Sequence, residues 1–270
     1  MIVDLVSPWV TAVEAKDSAS ACREFRARHA GILDAIRRQR LPHLADLPLP
    51  VEPDRLRLIA ARAADQGWLS PLSDLVAQAS ALGADRCQSV ILLPGNGTGD
   101  PAEPLPGADG AVAFLVEPRP ADIAERAALL VAITSLTRWD RLQPRGAEWN
   151  RWQAAQEHPL REWIYTAGLS MHMVLTVLAS VEPQQALGVS RTAFARLRQR
   201  ERVFAALLER DLDRTGAGLV MRWLLPAAPA SLRIIDGVTL PPMAGYYLAW
   251  RMVSNRVARA GLRGAMLLSV

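Results

Sequence analysis

Three positions in "LLVAITSLTRWDR" (Leu129 to Arg141) have the spacing of a hydrolytic metal centre. On a helix, side chains at i and i+4 lie one turn apart on the same face and can grip one divalent cation. A carboxylate at i+1 then takes a proton from the metal-bound water. That chemistry asks for His, Glu and His. This chain has Ile133, Thr134 and Thr137 instead. Isoleucine has no lone pair to offer, and neutral threonine hydroxyls are poor zinc ligands.

Other reactive groups are sparse. The loop "GNGTGD" (Gly95 to Asp100) could expose backbone N–H groups to a phosphate. Pro101, Pro104 and Pro106 follow it, however, where a phosphate site needs a helix, so a hairpin loop is expected. Cys87 has no neighbouring base and reads as a buried thiol. His29 and His43 fall in N-terminal helices and turns, and His158 precedes a proline at a helix start. Only His172 sits inside an apolar helix, where a hydrogen-bonded core histidine is the ordinary reading.

The elements that position these groups follow from periodicity and punctuation. Up to about residue 85 the chain reads as helices joined by proline-rich turns. Pro53 and Asp54 open one helix, which Gly67 closes; Ser70 and Pro71 open the next, which ends at Gly83. The period then changes. "CQSVILLPG" (Cys87 to Gly95) and "GAVAFLVEP" (Gly110 to Pro118) read as strands. Helices are expected around 121–140, 160–181, 190–211, 215–225 and 242–260. The fold class is therefore α+β, mostly helical, with a small sheet ahead of the central helices. Residues 1–85 form an N-terminal helical region and 86–270 a second, compact one.

Composition narrows the function classes. A chain of 270 residues, half hydrophobic and 21% charged, can bury a sizeable core. The net charge of +4 is spread rather than clustered. The densest run, "RRQR" (Arg37 to Arg40), ends a helix and reads as a solvated face, so no nucleic-acid partner is expected. The two cysteines, Cys22 and Cys87, lack C-x-x-C spacing, which points to reduced thiols in a cytoplasm. "MIVDLVSPWV" has no basic n-region and no cleavage site. The uncharged stretch Trp163 to Val181 contains His172 and several small polar residues, so it reads as a buried helix, not a membrane span.

Four features then fall in a telling order: a strand ending at Glu117, the helix "LLVAITSLTRW", the helix "WIYTAGLSMHMV", and the late "PPMAGYYLAWRMV". This order resembles the bacterial predicted zinc-dependent proteases of the gluzincin kind. Those carry an edge strand, an H-E-x-x-H helix, an E-G-L-A helix and a P-x-x-x-G-Y-x-x-G helix. The likeness covers roughly residues 87 to 260 and implies a zincin-like fold. Laid on the motif, Ile133 and Thr137 replace the histidine ligands, Thr134 the general base and Ala167 the glutamate ligand. Gly168, Leu169, Gly245 and Tyr246 are retained, and Ala249 replaces the last glycine. Changes even outside the ligand set typically lower metal affinity or activity about 10–100-fold. A chain without these ligands is expected to hold no zinc there, to need no cofactor and not to act as a peptidase.

The same resemblance implies a cleft along the former metal face. Leu130, Ile133, Thr134, Thr137 and Arg141 share one arc of the first helix. Trp163, Ala167, Ser170 and Met171 form the corresponding stripe on the second, and Tyr246 and Trp250 lie a turn apart on the last. Such a lining suits a small organic ligand, with Arg138 or Arg141 meeting an acidic group. Alternatively these residues are core, and the arginines pair with Asp140 or Glu148. Two functions follow. One is a metal-free enzyme on a small molecule, as in specialised metabolism, with Tyr246, Glu117, Thr134 or His172 handling protons. The other is a non-catalytic pseudopeptidase that binds a peptide along the edge strand 110–117, or a further subunit, including a second copy. The eight tryptophans favour a binding surface of some kind.

Overall fold

The computed structural model describes residues 1–39, 49–95, 97, 101–105, 110–118, 122–143, 150–226 and 228–268. His43, Arg40, Glu148 and most of the glycine loop lie outside them. The protein is α+β and mostly helical. It divides into two compact units, residues 1–81 with 85–150, and residues 82–84 with 151–270. The N-terminal helices and the strands thus share the first unit, whereas the change of period had suggested a division at residue 85.

The first unit begins with strand β1 (Ile2–Asp4) and helices α1 (Val6–Glu14), α2 (Ser18–Arg28) and α3 (Ala30–Gln39). Helices α4 (Pro53–Ala63) and α5 (Gln66–Ala81) follow, then strands β2 (Ser89–Pro94), β3 (Ala102–Leu105) and β4 (Ala111–Val116), and helix α6 (Asp122–Leu142). Among the described residues four strands form one sheet in the order β1-β2-β4-β3. β1, β2 and β4 are parallel, with Val90 beside both Ile2 and Val112. β3 runs antiparallel to β4, pairing Pro104 with Val112. Every residue of β4 is buried, as the unbroken apolar run "AVAFLV" requires of a strand covered on both faces.

Three expectations are corrected here. Strands 87–95 and 110–118 do not form a hairpin: they are parallel neighbours, and the proline-bearing connection supplies β3. Residues 111–116 are not an edge strand, because β2 and β3 flank them on either side. The edge on that side is β3, whose four residues are buried, and the other edge is β1. Finally, α5 starts before Pro71 and encloses it. The start is set by Asp65, whose carboxylate accepts from the Gly67 N–H at 2.8 Å, so Ser70 is not the cap.

The core of this unit gathers Leu5, Trp9, Phe25, Ile36, Leu56, Ile91, Leu93, Leu105 and Leu115. Trp9 is wholly buried, and its indole N–H donates to the Pro50 carbonyl at 2.7 Å. The one polar atom of that large side chain is thereby satisfied.

The second unit contains α7 (Arg151–Glu157), α8 (Leu160–Val177), α9 (Pro183–Ala186), α10 (Arg191–Gln199) and α11 (Glu201–Glu209). These are followed by α12 (Ala217–Leu224), a two-stranded ribbon of β5 (Ile234–Ile235) and β6 (Val238–Thr239), and α13 (Ala244–Met266). The helix expected over 190–211 is split at Arg200, which leaves helical geometry. α8 is buried along nearly its whole length and packs against α13. No helix of the described residues is long and apolar enough to cross a membrane.

Two glycines explain how closely these helices approach. A Cβ on Gly168 would lie 2.4 Å from the Ala249 carbonyl oxygen and 2.5 Å from Val253 Cγ2. A Cβ on Gly245 would lie 2.0 Å from the Trp223 carbonyl oxygen. Tyr165 ties α8 to the far end of α13, donating to the Ala265 carbonyl at 3.0 Å.

Candidate functional site

The residues singled out in the sequence fall into both units. In the first, Thr134 is fully buried, and its hydroxyl donates to the Leu130 carbonyl of its own helix at 2.7 Å. Thr137, also buried, accepts from the Arg86 N–H at 3.3 Å. Arg138 is buried beside them on α6, at 2% exposure. Arg141 pairs with Asp85 at 2.9 Å, not with Asp140, which pairs with Arg86. Glu117 stands just beyond β4, where its carboxylate accepts from the Gly97 N–H at 2.7 Å and from Arg55.

In the second unit, Trp163, Ala167, Ser170 and Met171 are buried within α8. The Ser170 hydroxyl donates to the Thr166 carbonyl at 2.9 Å. His172 is half-buried, and its Nε2 lies 3.3 Å from the Trp250 carbonyl oxygen and 3.3 Å from Ser254 Oγ. Burial holds its pKa below the ordinary 6.5, with the Trp250 contact opposing. Tyr246 is half-buried on α13. His172 and Trp250 are therefore brought together within this unit.

Whether these positions could hold the zinc of the resembled proteases is decided by the donors they offer. Positions 133, 134, 137 and 167 offer no imidazole or carboxylate, and the Thr137 oxygen is already engaged. Among the described residues no group of three or more His, Cys, Asp or Glu side chains could hold a metal ion. The residues do not fit the metal.

An open pocket of about 630 Å³ lies instead among α9, α10, α11 and α13 of the second unit. Ligand sites commonly occupy roughly 300–1,000 Å³. Phe194, Tyr247 and Trp250 supply aromatic walls, and Arg198, Glu201 and Arg251 supply charge. Phe194 meets Tyr247 edge-on at 5.6 Å between centroids, and Tyr247 meets Trp250 at 6.1 Å. Each ring is thus held in place by a neighbour.

The polar groups have distinct states. The Tyr247 hydroxyl donates to Glu201 Oε2 at 2.5 Å, and Arg251 Nε reaches Oε1 at 3.3 Å. Burial, then the Glu201 carboxylate, pushes the Tyr247 phenol up to about 12. It stays protonated throughout the physiological range. Arg198, exposed on α10, has no carboxylate partner among the described residues.

Of the residues chosen from sequence, Trp250 lines this pocket; Tyr246 does not, its neighbour Tyr247 taking that place. The adjacent residue on a helix points about 100° away, so the choice between two tyrosines needed the packing of α13. Phe194, Arg198 and Glu201 were missed, although the i, i+4 spacing of Phe194 and Arg198 marks one face of α10; Glu201 lies beyond the break at Arg200. The chain matches no protein-family model, no curated protein and no solved structure.

Proposed function

We propose that this chain is a metal-independent protein that binds a small organic molecule and transforms it, and that the pocket among α10, α11 and α13 is its site. The supporting observation is the convergence of three mutually braced aromatic rings with two guanidinium groups and one carboxylate in a cavity of ligand size. Apolar walls with a few placed polar groups are the usual make-up of a small-molecule site. The Glu201 carboxylate, fixed by the Tyr247 hydroxyl and by Arg251, is the group in the pocket placed to serve as a general base. The zincin-like scaffold is part of this proposal and rests on the order of its four sequence features. Strand addition of a peptide has less support, since β4 is paired on both sides and β3 is buried.

A panel of small organic compounds screened by thermal shift tests this reading. Compounds that raise the melting temperature of the wild-type protein should fail to do so for Trp250→Ala. A variant that retains every shift would remove the pocket from consideration.

A further inference from the structure

The pocket carries a charge imbalance that selects among ligands. Glu201 is the carboxylate among its lining residues, and both its oxygens are engaged, one by Tyr247 and one by Arg251. Arg251 therefore has a carboxylate partner within the protein. Arg198 does not: no described carboxylate pairs with it, although it lines the same cavity. One positive charge is left for an occupant.

The walls select further. Trp250 and Tyr247 meet at an interplanar angle of 66°, and Phe194 and Tyr247 at 86°. Tyr247 is 2% exposed and braces Phe194 and Trp250, whose half-buried rings are left to meet a planar guest, which gains from stacking beyond its buried area. A guanidinium fork matches a carboxylate with two parallel N–H···O bonds.

Resting on the pocket assignment above, we propose that the occupant is an aromatic monocarboxylate, its carboxylate held by Arg198 and its ring packed between Phe194 and Trp250. A dianion would meet an uncompensated charge beside Glu201, and a neutral aromatic would leave Arg198 unused. Such a ligand would bind more weakly as salt rises, since Arg198 is exposed.

Three probes separate the elements of this proposal: naphthoate, naphthylmethanol (the same ring without the charge) and decanoate (the same charge without the ring). Titration calorimetry should find naphthoate bound about tenfold or more tightly than either, the ratio expected of one charge-assisted hydrogen-bonded contact. Arg198→Ala should weaken naphthoate by a similar factor and leave naphthylmethanol unchanged. Arg198→Lys should recover part of the loss. Circular dichroism checks that each variant is folded. If naphthylmethanol or decanoate binds as tightly as naphthoate, or naphthoate does not bind, the ligand class is wrong. The pocket itself fails separately, when Trp250→Ala leaves the binding of every bound probe unchanged.

Discussion

Gly168 and Ala249 meet backbone to backbone, so that one methyl group on the glycine would stand 2.4 Å from the alanine carbonyl oxygen. Neither helix can yield without moving its main chain. Gly168→Ala should therefore cost about 1–3 kcal/mol or somewhat more, seen as a lower urea midpoint. Gly218 on α12 has nothing within 4 Å of its Cβ position, and Gly218→Ala should raise stability by up to about 1 kcal/mol, seen as a higher midpoint. Equal effects at the two sites would refute this account of the α8–α13 contact.

Arg62 and Glu125 form a two-pronged ion pair in the first unit, with side-chain exposures of 10% and 5%. Arg62 also donates to the Glu117 carbonyl at 2.9 Å and lies over the Trp68 ring at 4.7 Å. Removing one partner leaves a buried charge alone. Arg62→Met should lower stability by about 3–5 kcal/mol, and adding Glu125→Leu should restore much of the loss. Chemical denaturation of the two variants decides it: a double variant as unstable as the single one would show that packing, not charge, dominates.

His172 makes stability depend on acid. Its folded pKa lies below the ordinary 6.5, so below that pH the unfolded chain binds the proton more readily than the folded one. Stability should fall as pH drops from 6.5 towards the depressed value, and the loss should be complete below it. His29 is lowered in the same sense, by burial and then by Arg28, so the comparison must isolate one residue. Urea midpoints measured near pH 7.5 and near pH 5 should differ less for His172→Gln than for the wild type. An unchanged difference would assign the acid sensitivity elsewhere.

Elemental analysis of the purified protein should find no stoichiometric zinc, because Ile133, Thr134, Thr137 and Ala167 carry no suitable donor. Prolonged dialysis against a chelator should leave the melting temperature unchanged. One equivalent of zinc, lost together with stability on chelation, would overturn the metal-free reading.

The helices and the two long strands were legible in the sequence because their apolar periods and their Pro and Gly boundaries are strong local signals. β2 and β4 fall inside the expected segments, and α6, α8, α12 and α13 near theirs. The short strands were not. Ile2–Asp4 becomes a strand by pairing with Val90 to Leu92, and a three-residue run has no period of its own. Ala102–Leu105 contains Pro104, which in isolation argues against a strand. That β1 joins the sheet also explains why the N-terminal helices belong with the strands. The split of the 190–211 helix at Arg200 has no Gly or Pro to announce it. At the candidate site, periodicity could pick a face but not which faces converge, so Trp250 was found and Arg198 was not.

Pro104 gives the sheet a property that concerns the protein's behaviour in bulk. β3 is the last strand on its side and carries a residue with no N–H to offer an incoming chain, while β1, on the other side, is three residues long and ends in Asp4. Neither border makes a good template for fibrillar growth. Concentrated solutions of the folded protein should accordingly resist seeding of amyloid through this sheet.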